Sequence, residues 1–344
     1  MILSACSPAG SGKAKPGTAP RYAGFFSTGG DSLLWVSSVH DKDQVVATLQ
    51  QGILNRQSRI VCLSSVIVAF LEELGLANTI VAVDQTAFIS SPALLRRIQE
   101  GLVASVKPGA SLDVERVLSM QPDAVFYYEG AGGEDPSFSL LKKNGIKLIP
   151  VNNYKEQHPL GRAEWIRFVG RIFGIASQAD SLFDAVARSY EDQKNMADQQ
   201  PLRPTVFCNA PFSGVWDQPQ GGNYMAMLIK DAGGVYLWAE TSGSGTISLQ
   251  PEAVLLKAQN ADIWINCNDY TERRQLLSED PRLSRFKAFS QGRVFAANAV
   301  KREGGANPFW ELGVVRPDLV LHDLRQIFSA AGDTLSMYFY RKLR

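Results

Sequence analysis

The sequence has few of the side chains that most often hold metals. Among 344 residues there are three histidines, on distant segments, and four cysteines, none in a CxxC pair. A multi-histidine zinc or manganese site, a zinc ribbon and a dithiol redox site are therefore not indicated. Cys62, Cys208 and Cys267 each lie in a strand-like run, so we expect them to be small buried hydrophobic residues.

Excess charge and long apolar runs are also missing. The formal net charge is +1, which argues against a nucleic-acid partner, because there is no basic excess to displace counterions from phosphates. The longest apolar runs, such as Ser64 to Phe70, are far too short to cross a bilayer as helices. The 45% hydrophobic content is enough for two ordinary cores, so two lobes are expected.

Motifs of catalysis are not found either. Gly10 to Ala14 lacks the leading glycine, the Ser or Thr after lysine and the preceding strand of a phosphate loop. Gly130 to Gly133 follows a strand, but no helix N-terminus stands behind it to bind a pyrophosphate. No GxSxG, HExxH or acidic metal loop is present. The sequence thus predicts neither an enzyme nor a bound cofactor.

A long helix is predicted from about Ser177 to about Ala197. Ser177 is a suitable N-cap, apolar residues follow at helical spacing from Ala179 to Tyr190, and Pro201 ends the pattern. At about 1.5 Å per residue this helix is about 30 Å long, roughly the width of a small domain. We expect it to join two lobes rather than to pack inside one.

Short strands alternate with helices on both sides of that helix, which predicts mostly parallel sheets covered on both faces. The fold class is therefore α/β, with two Rossmann-like lobes joined by one long helix. The expected division is a tether at 1–20, a first lobe at 21–160, connecting and bridging helices at 161–200, and a second lobe at 201–344. The first lobe is expected to begin with a β-hairpin between Phe25 and Val39, and Tyr338 to Tyr340 could form an added edge strand.

The N-terminus contains Leu3-Ser4-Ala5-Cys6, which resembles the lipobox at which bacterial lipoproteins are lipidated on cysteine. The charged and apolar regions of a signal peptide do not precede it. The alternative is a chance cysteine in a tail. Because Ser7 to Pro20 has the composition of a flexible tether, we favour a lipid anchor at Cys6.

Several segments together resemble one family. Arg59 to Ser64, Phe70 to Leu76, Ile80 to Val83 and Leu112 to Val125 are similar to the N-lobe of substrate-binding proteins of ABC transporters for ferric siderophores, haem and cobalamin. Further similar segments are Ser248 to Trp264, Gly161 to Trp165 and Asn307 to Asp323. The resemblance implies two α/β lobes bridged by one helix (class III), a periplasmic, lipid-anchored monomer, and an ABC permease as partner.

In open α/β sheets ligands bind beyond the carboxyl ends of the strands, and here those loops carry aromatic and amide side chains. The candidate ligand-binding residues are Tyr127, Tyr128, Tyr154, Arg162, Trp216, Tyr224, Trp238, Asn268, Arg302 and Trp310. The tryptophans could pack against a large, flat ligand or in the core, and the arginines could pair with carboxylates or chelating oxygens. Arg162 could equally anchor Glu164 or a helix end, and Arg302 could be a solvated loop charge. With haem as cargo, Tyr127, Tyr128 and His158 are possible axial ligands.

Glu115 and Glu252 each lie at the start of a predicted helix, one per lobe. The resemblance implies that they dock on arginines of the permease, whereas a helix-dipole role is the alternative. A second functional hypothesis is a metallochaperone or metal-cluster enzyme on the same two-lobed scaffold, against which the unclustered cysteines argue.

Overall fold

The computed structural model describes residues 18–30, 32–107, 109, 111–130, 136–302, 304–329 and 336–344. Cys6 and most of the predicted tether lie outside these residues. Within them, no helix is both long enough and apolar enough to span a membrane.

The first lobe is built on a parallel sheet. Its strands are β1 (Phe26–Thr28), β2 (Leu33–Ser37), β3 (Val45–Gln50), β4 (Ile60–Cys62), β5 (Ile80–Val83), β6 (Ala104–Ser105), β7 (Ala124–Tyr127) and β8 (Lys147–Pro150). Its helices are α1 (Ser65–Glu73), α2 (Pro92–Gln99), α3 (Val114–Ser119) and α4 (Pro136–Lys143). Five strands pair in parallel in the order β6-β5-β4-β7-β8, while β1-β2-β3 form an antiparallel sheet. The predicted hairpin is confirmed, with β3 as an unpredicted third strand.

Two helices follow the first lobe, α5 (Pro159–Ile172) and α6 (Ala176–Asp198). The predicted long helix is thus confirmed as α6, but its predicted N-cap is wrong. The helix begins one residue before Ser177 because Gly174, at φ +68, reverses the chain after α5 and places Ile175 at the cap. Asp180 does not act at a helix end; it accepts hydrogen bonds from Arg171 of α5 at 3.0 and 3.2 Å.

The second lobe has a smaller parallel sheet. Its strands are β9 (Thr205–Cys208), β10 (Trp216–Pro219), β11 (Val235–Tyr236), β12 (Thr246–Leu249), β13 (Ile263–Ile265), β14 (Phe295–Ala296) and β15 (Arg341–Lys342). Its helices are α7 (Tyr224–Asp231), α8 (Pro251–Ala258), α9 (Arg273–Glu279), α10 (Lys287–Ser290), α11 (Leu312–Val315) and α12 (Pro317–Phe328). The order β11-β9-β13 is parallel, and β10-β12 and β14-β15 are antiparallel pairs. The C-terminal edge strand exists, one residue after the predicted segment, and its partner is β14.

Helix α6 connects the two lobes. It packs against α5 on one side and against α12 and α7 of the second lobe on the other. Its contact with α5 is close: a Cβ added at Gly170 would lie 2.2 Å from the Cβ of Ala179. Phe183 and Tyr190 are buried on its apolar face, as the spacing predicted. One continuous hydrophobic core extends through both lobes and these helices, and a second cluster fills the outer face of the first-lobe sheet.

Candidate functional site

Two adjoining cavities lie between the lobes and share Asn307 and Trp310 as lining residues. The first has a volume of about 370 Å³, and the second about 630 Å³. The first is lined by Leu63, Ser64, Ser65, Asp84, Phe88, Tyr128, Gly305, Ala306, Asn307, Trp310 and Glu311. The second is lined by Asn209, Phe212, Asn266, Asn268, Asp269, Tyr270, Ala297, Asn307 and Trp310. We call these two cavities together the cleft.

The first-lobe wall of the cleft consists of residues that directly follow parallel strands. Ser64 follows β4 and caps α1, where its hydroxyl accepts from Val66 N at 3.2 Å. Asp84 follows β5, and Tyr128 follows β7. Burial raises the pKa of Tyr128 to about 12, so its phenol is protonated at neutral pH and can donate a hydrogen bond. Of the predicted ligand residues of this lobe, Tyr128 therefore faces the cleft.

The second-lobe wall depends on asparagines in the left-handed backbone region. Asn209 follows β9 at φ +61, while Asn266 and Asn268 follow β13 at φ +57 and +43. Asparagine tolerates this conformation better than most residues because its short polar side chain can bond locally. Asn209 Nδ2 donates to Asp217 O at 2.7 Å, and Asn266 Oδ1 accepts from Tyr340 at 2.6 Å. Asn268, a predicted ligand residue, lines the second cavity.

Exposed aromatic side chains stand at the cleft. Trp310 is 53% exposed and lines both cavities, and of the two alternatives for this indole its placement favours contact with a ligand. Phe88 and Phe212 are also exposed, and each lines one cavity. Neither phenylalanine was among the predicted ligand residues. The available signal was position, since each lies a few residues beyond a strand end.

One alternative for Arg162 was a pair with a ligand carboxylate. In the structure its side chain instead binds backbone carbonyls. Its Nε donates to Glu156 O at 2.9 Å and its Nη2 to Tyr154 O at 2.8 Å. The guanidinium carbon lies 3.8 Å from the ring centroid of Tyr224, at the start of α7 in the second lobe. Tyr154 in turn packs against Tyr128, with ring centroids 5.2 Å apart, and donates its hydroxyl to Glu129 O at 2.6 Å. Arg162 thus links the lobes through a row of tyrosines behind the cleft.

A second polar link between distant segments lies beside the first cavity. Arg302 Nη1 donates to Ser90 O at 3.1 Å, and Glu311 Oε2 accepts from Ser90 Oγ at 2.8 Å. Arg302 is therefore a structural contact as well as an exposed loop charge. Burial and, to a smaller extent, the nearby carboxylates of Glu72 and Asp84 raise the pKa of Glu311 to about 7. Glu311 was not singled out as a ligand residue, and its type gave no signal without the tertiary contacts.

Three predicted ligand residues pack inside their lobes. Trp216 has no exposed surface; its Nε1 donates to Cys208 O at 3.0 Å. Its ring lies against Trp264 and Phe286 in the core of the second lobe. Trp238 is 5% exposed, with Lys257 over its ring. Tyr127 packs edge-on against Phe138, at 4.6 Å between centroids. For Trp216 and Trp238 the core alternative is correct, because the strand ends turn these indoles inward.

His158 lies at neither cavity of the cleft. It is the N-cap of α5, and its Nδ1 accepts from Leu160 N at 3.0 Å. Burial lowers the pKa of this imidazole, and Lys194 lowers it further. His158 lines a separate cavity of about 620 Å³ beside α6 and α7. A joint role with Tyr128 as haem ligand is thus not supported by their placement.

The two predicted docking carboxylates lie on the surface, one per lobe. Glu115 is in the first turn of α3 and is exposed. Glu252 is in the first turn of α8, where Arg282 Nη1 donates to its Oε1 at 2.8 Å. That bond lowers the pKa of the Glu252 carboxyl. The two carboxylates therefore differ in their surroundings, since Glu252 forms a salt bridge with an arginine of the same lobe.

Known proteins resemble this chain in sequence and in fold. A family model described as periplasmic binding protein matches residues 60–300. An uncharacterized lipoprotein of Methanocaldococcus jannaschii is 23% identical over 235 residues, or 67% of this chain and 54% of that protein. The chain thus spans about half the length of this curated relative.

Solved structures share the arrangement of two lobes. The periplasmic heme-binding protein RhuT from Roseiflexus sp. RS-1 matches 80% of this chain and 99% of its own, with a TM-score of 0.60 and 21% identity. A protein of an ABC-type Fe³⁺-hydroxamate transport system from Saccharomonospora viridis matches 84% of this chain and 97% of its own, with a TM-score of 0.61 and 15% identity. At such identities the likeness is one of fold.

Proposed function

Because the chain belongs to the periplasmic binding protein family and has an aromatic-rimmed cleft between its lobes, we propose that it is the extracytoplasmic receptor of an ABC importer. In this role it captures a ferric siderophore, haem or a corrinoid in the cleft and delivers it to a membrane permease, without chemical change of the cargo. The observation that carries the proposal is the cleft itself, which combines strand-end polar groups of both lobes with the exposed indole of Trp310.

The comparisons support this class of cargo. The two structural neighbours are named for heme binding and for Fe³⁺-hydroxamate transport, and both match the fold of this chain, with TM-scores of 0.60 and 0.61. The archaeal relative is named a lipoprotein, which supports an anchor at Cys6 and a position outside the cytoplasm. Neither the described residues nor the comparisons favour the alternative, a metallochaperone or metal-cluster enzyme.

Binding is tested by calorimetric titration of the purified protein with ferric chelates, haemin and cyanocobalamin. We expect saturable binding of one of these compounds, with quenching of tryptophan fluorescence and unchanged cargo on release. Replacing Trp310 by Ala should weaken binding about tenfold, since ring stacking supplies about 0.5–1.5 kcal/mol beyond the apolar area that the indole buries. No saturable binding to any member of the panel, or conversion of the cargo, would contradict the proposal.

A second experiment tests docking on the permease through Glu115 and Glu252. A permease can recognise two carboxylates on separate lobes by the distance between them. The double variant Glu115→Gln/Glu252→Gln should bind cargo as the parent does, yet lose uptake in vesicles that contain the permease. The matched control Asp192→Asn/Asp198→Asn removes the same charge from α6. Loss of cargo binding in the docking variant would show that these residues are misassigned.

A further inference from the structure

The cleft contains carboxylates but few cations. Asp84 and Glu311 line the first cavity and Asp269 lines the second, whereas no lysine or arginine is among the described residues that line either cavity. The charge of the second cavity is largely balanced, because Lys301 Nζ lies 2.6 Å from Asp269 Oδ2. The excess negative charge is therefore concentrated in the first cavity.

Two arginines near the cleft are not among the lining residues of either cavity. Arg162 donates to the carbonyls of Tyr154 and Glu156 and lies over the ring of Tyr224. Arg302 is exposed and donates one of its N–H groups to Ser90 O. Neither guanidinium therefore lines the space in which a cargo carboxylate would need a bidentate partner.

The carboxylates of the first cavity also act on one another. Glu311 lies close enough to Asp84 and to Glu72 of α1 for both to raise its pKa. Burial raises the pKa of the Asp84 carboxyl, and the Gln85 N–H at 2.8 Å and the nearby Lys107 offset part of this rise. Bringing an anionic cargo into this partly desolvated space adds repulsion, whereas a cationic group reduces it.

We propose that the cleft selects neutral or cationic cargo over anionic cargo, and that Asp84 is a specificity-determining residue. This inference rests on the proposed function and narrows it. It assigns the receptor to chelates or tetrapyrroles without exposed carboxylates. It also accounts for the lack of a lysine or arginine among the described residues that line the two cavities.

The test uses cargo pairs that differ only in charge. Ferrioxamine B carries an ammonium; its N-acetyl derivative is neutral at that position, and its N-succinyl derivative carries a carboxylate on the same ferric trihydroxamate. Cyanocobalamin is compared with its monocarboxylic acid, and haemin with haemin dimethyl ester. Affinities are measured by calorimetry at one ionic strength. For each cargo compound that binds, we expect the form with the carboxylate to bind about tenfold or more weakly than the neutral or cationic form.

The variant Asp84→Asn should reduce this discrimination severalfold, measured as the ratio of the two affinities so that any change common to both forms cancels. Asp192→Asn, which removes an exposed carboxylate of α6 outside the cleft, is the matched control and should leave it unchanged. Circular dichroism confirms that both variants are folded. The inference is overturned if the carboxylate forms bind as well as their partners, or if Asp84→Asn leaves the ratio intact. If no cargo compound binds in any form, the proposed function itself fails, and the inference fails with it.

Discussion

The two lobes build their sides of the cleft by different means. In the first lobe, short loops after β4, β5 and β7 of a regular parallel sheet present Ser64, Asp84 and Tyr128. In the second, the parallel sheet has three strands, and much of the wall comes from the segments that follow β9, β13 and β14. We infer that the first lobe contributes a polar surface that its short loops hold in a constant shape. Sequence changes in the longer segments of the second lobe can then adapt the cleft to a particular cargo.

A segment near each end of the described chain is held in the same way, by hydrogen bonds to a buried carboxylate on a helix. Glu164 of α5 accepts hydrogen bonds from the backbone N–H groups of Arg21, Tyr22 and Ala23, at 2.7–3.0 Å. Asp323 of α12 likewise accepts from the N–H groups of residues 338–340, at 2.7–3.1 Å. Each carboxylate satisfies three successive donors at once. A buried helix carboxylate therefore replaces a strand partner for a segment that enters or leaves its lobe.

The largest expected effect separates a core tryptophan from a cleft tryptophan of the second lobe. Trp216→Ala should lower the free energy of unfolding by about 4 kcal/mol, because it leaves a large cavity beside Trp264. Trp310→Ala should lower it by less than about 1 kcal/mol, because the indole is half exposed. Urea unfolding followed by far-ultraviolet circular dichroism measures both. Equal losses would contradict the assignment of Trp310 to the cleft rim.

Glu164 and Asp323, which we call the carboxylate clamps, are compared by the variants Glu164→Gln and Asp323→Asn. Each variant should lower the free energy of unfolding by about 2–3 kcal/mol, since an amide is a weaker acceptor for three N–H groups than a carboxylate. Hydrogen exchange should accelerate at the amides of Tyr22 and Ala23 in one variant, and of Phe339 and Tyr340 in the other. Asp192→Asn is the control. A loss confined to one variant would show that the lobes do not depend equally on their clamps.

The smallest effect concerns Glu311, where a segment of the second half of the chain meets the first lobe. Its pKa is raised from 4.5 to about 7, so the ionised form is disfavoured in the folded protein. The resulting penalty is absent below about pH 4.5, grows as the pH rises towards 7 and is constant above that. Glu311→Gln should therefore raise the free energy of unfolding by about 2 kcal/mol at pH 8 and leave it unchanged near pH 4.

Denaturant unfolding at a series of pH values checks this expectation. Glu115→Gln, at an exposed carboxylate of the first lobe, is measured over the same pH range as the matched control. A stabilisation by Glu311→Gln that did not vary with pH would exclude ionisation as its cause.

Local patterns predicted most of the elements but only part of the site. Gly75 and Gly145 follow α1 and α4 at φ +69 and +79, and a glycine just after an apolar periodic segment is a local signal for the end of a helix. Tyr128 and Asn268 line the cleft from the segments that follow β7 and β13, and Trp310 lines it from a segment well beyond β14. Trp216 also lies in such a region, yet it points into the core. Position along the chain does not reveal which face of a loop a side chain occupies.

The sequence by itself determined the α/β alternation, the bridging helix and the loops from which a cleft could be made, because these depend on periodicity and turn chemistry over short stretches. Only the tertiary structure decided that Arg162 lies over the ring of Tyr224, that Arg302 binds Ser90 O and that Glu311 meets Ser90. Those contacts join residues whose separation in sequence reaches 221 positions. No local pattern specifies such a pairing, since it arises only when the two lobes pack against α5 and α6.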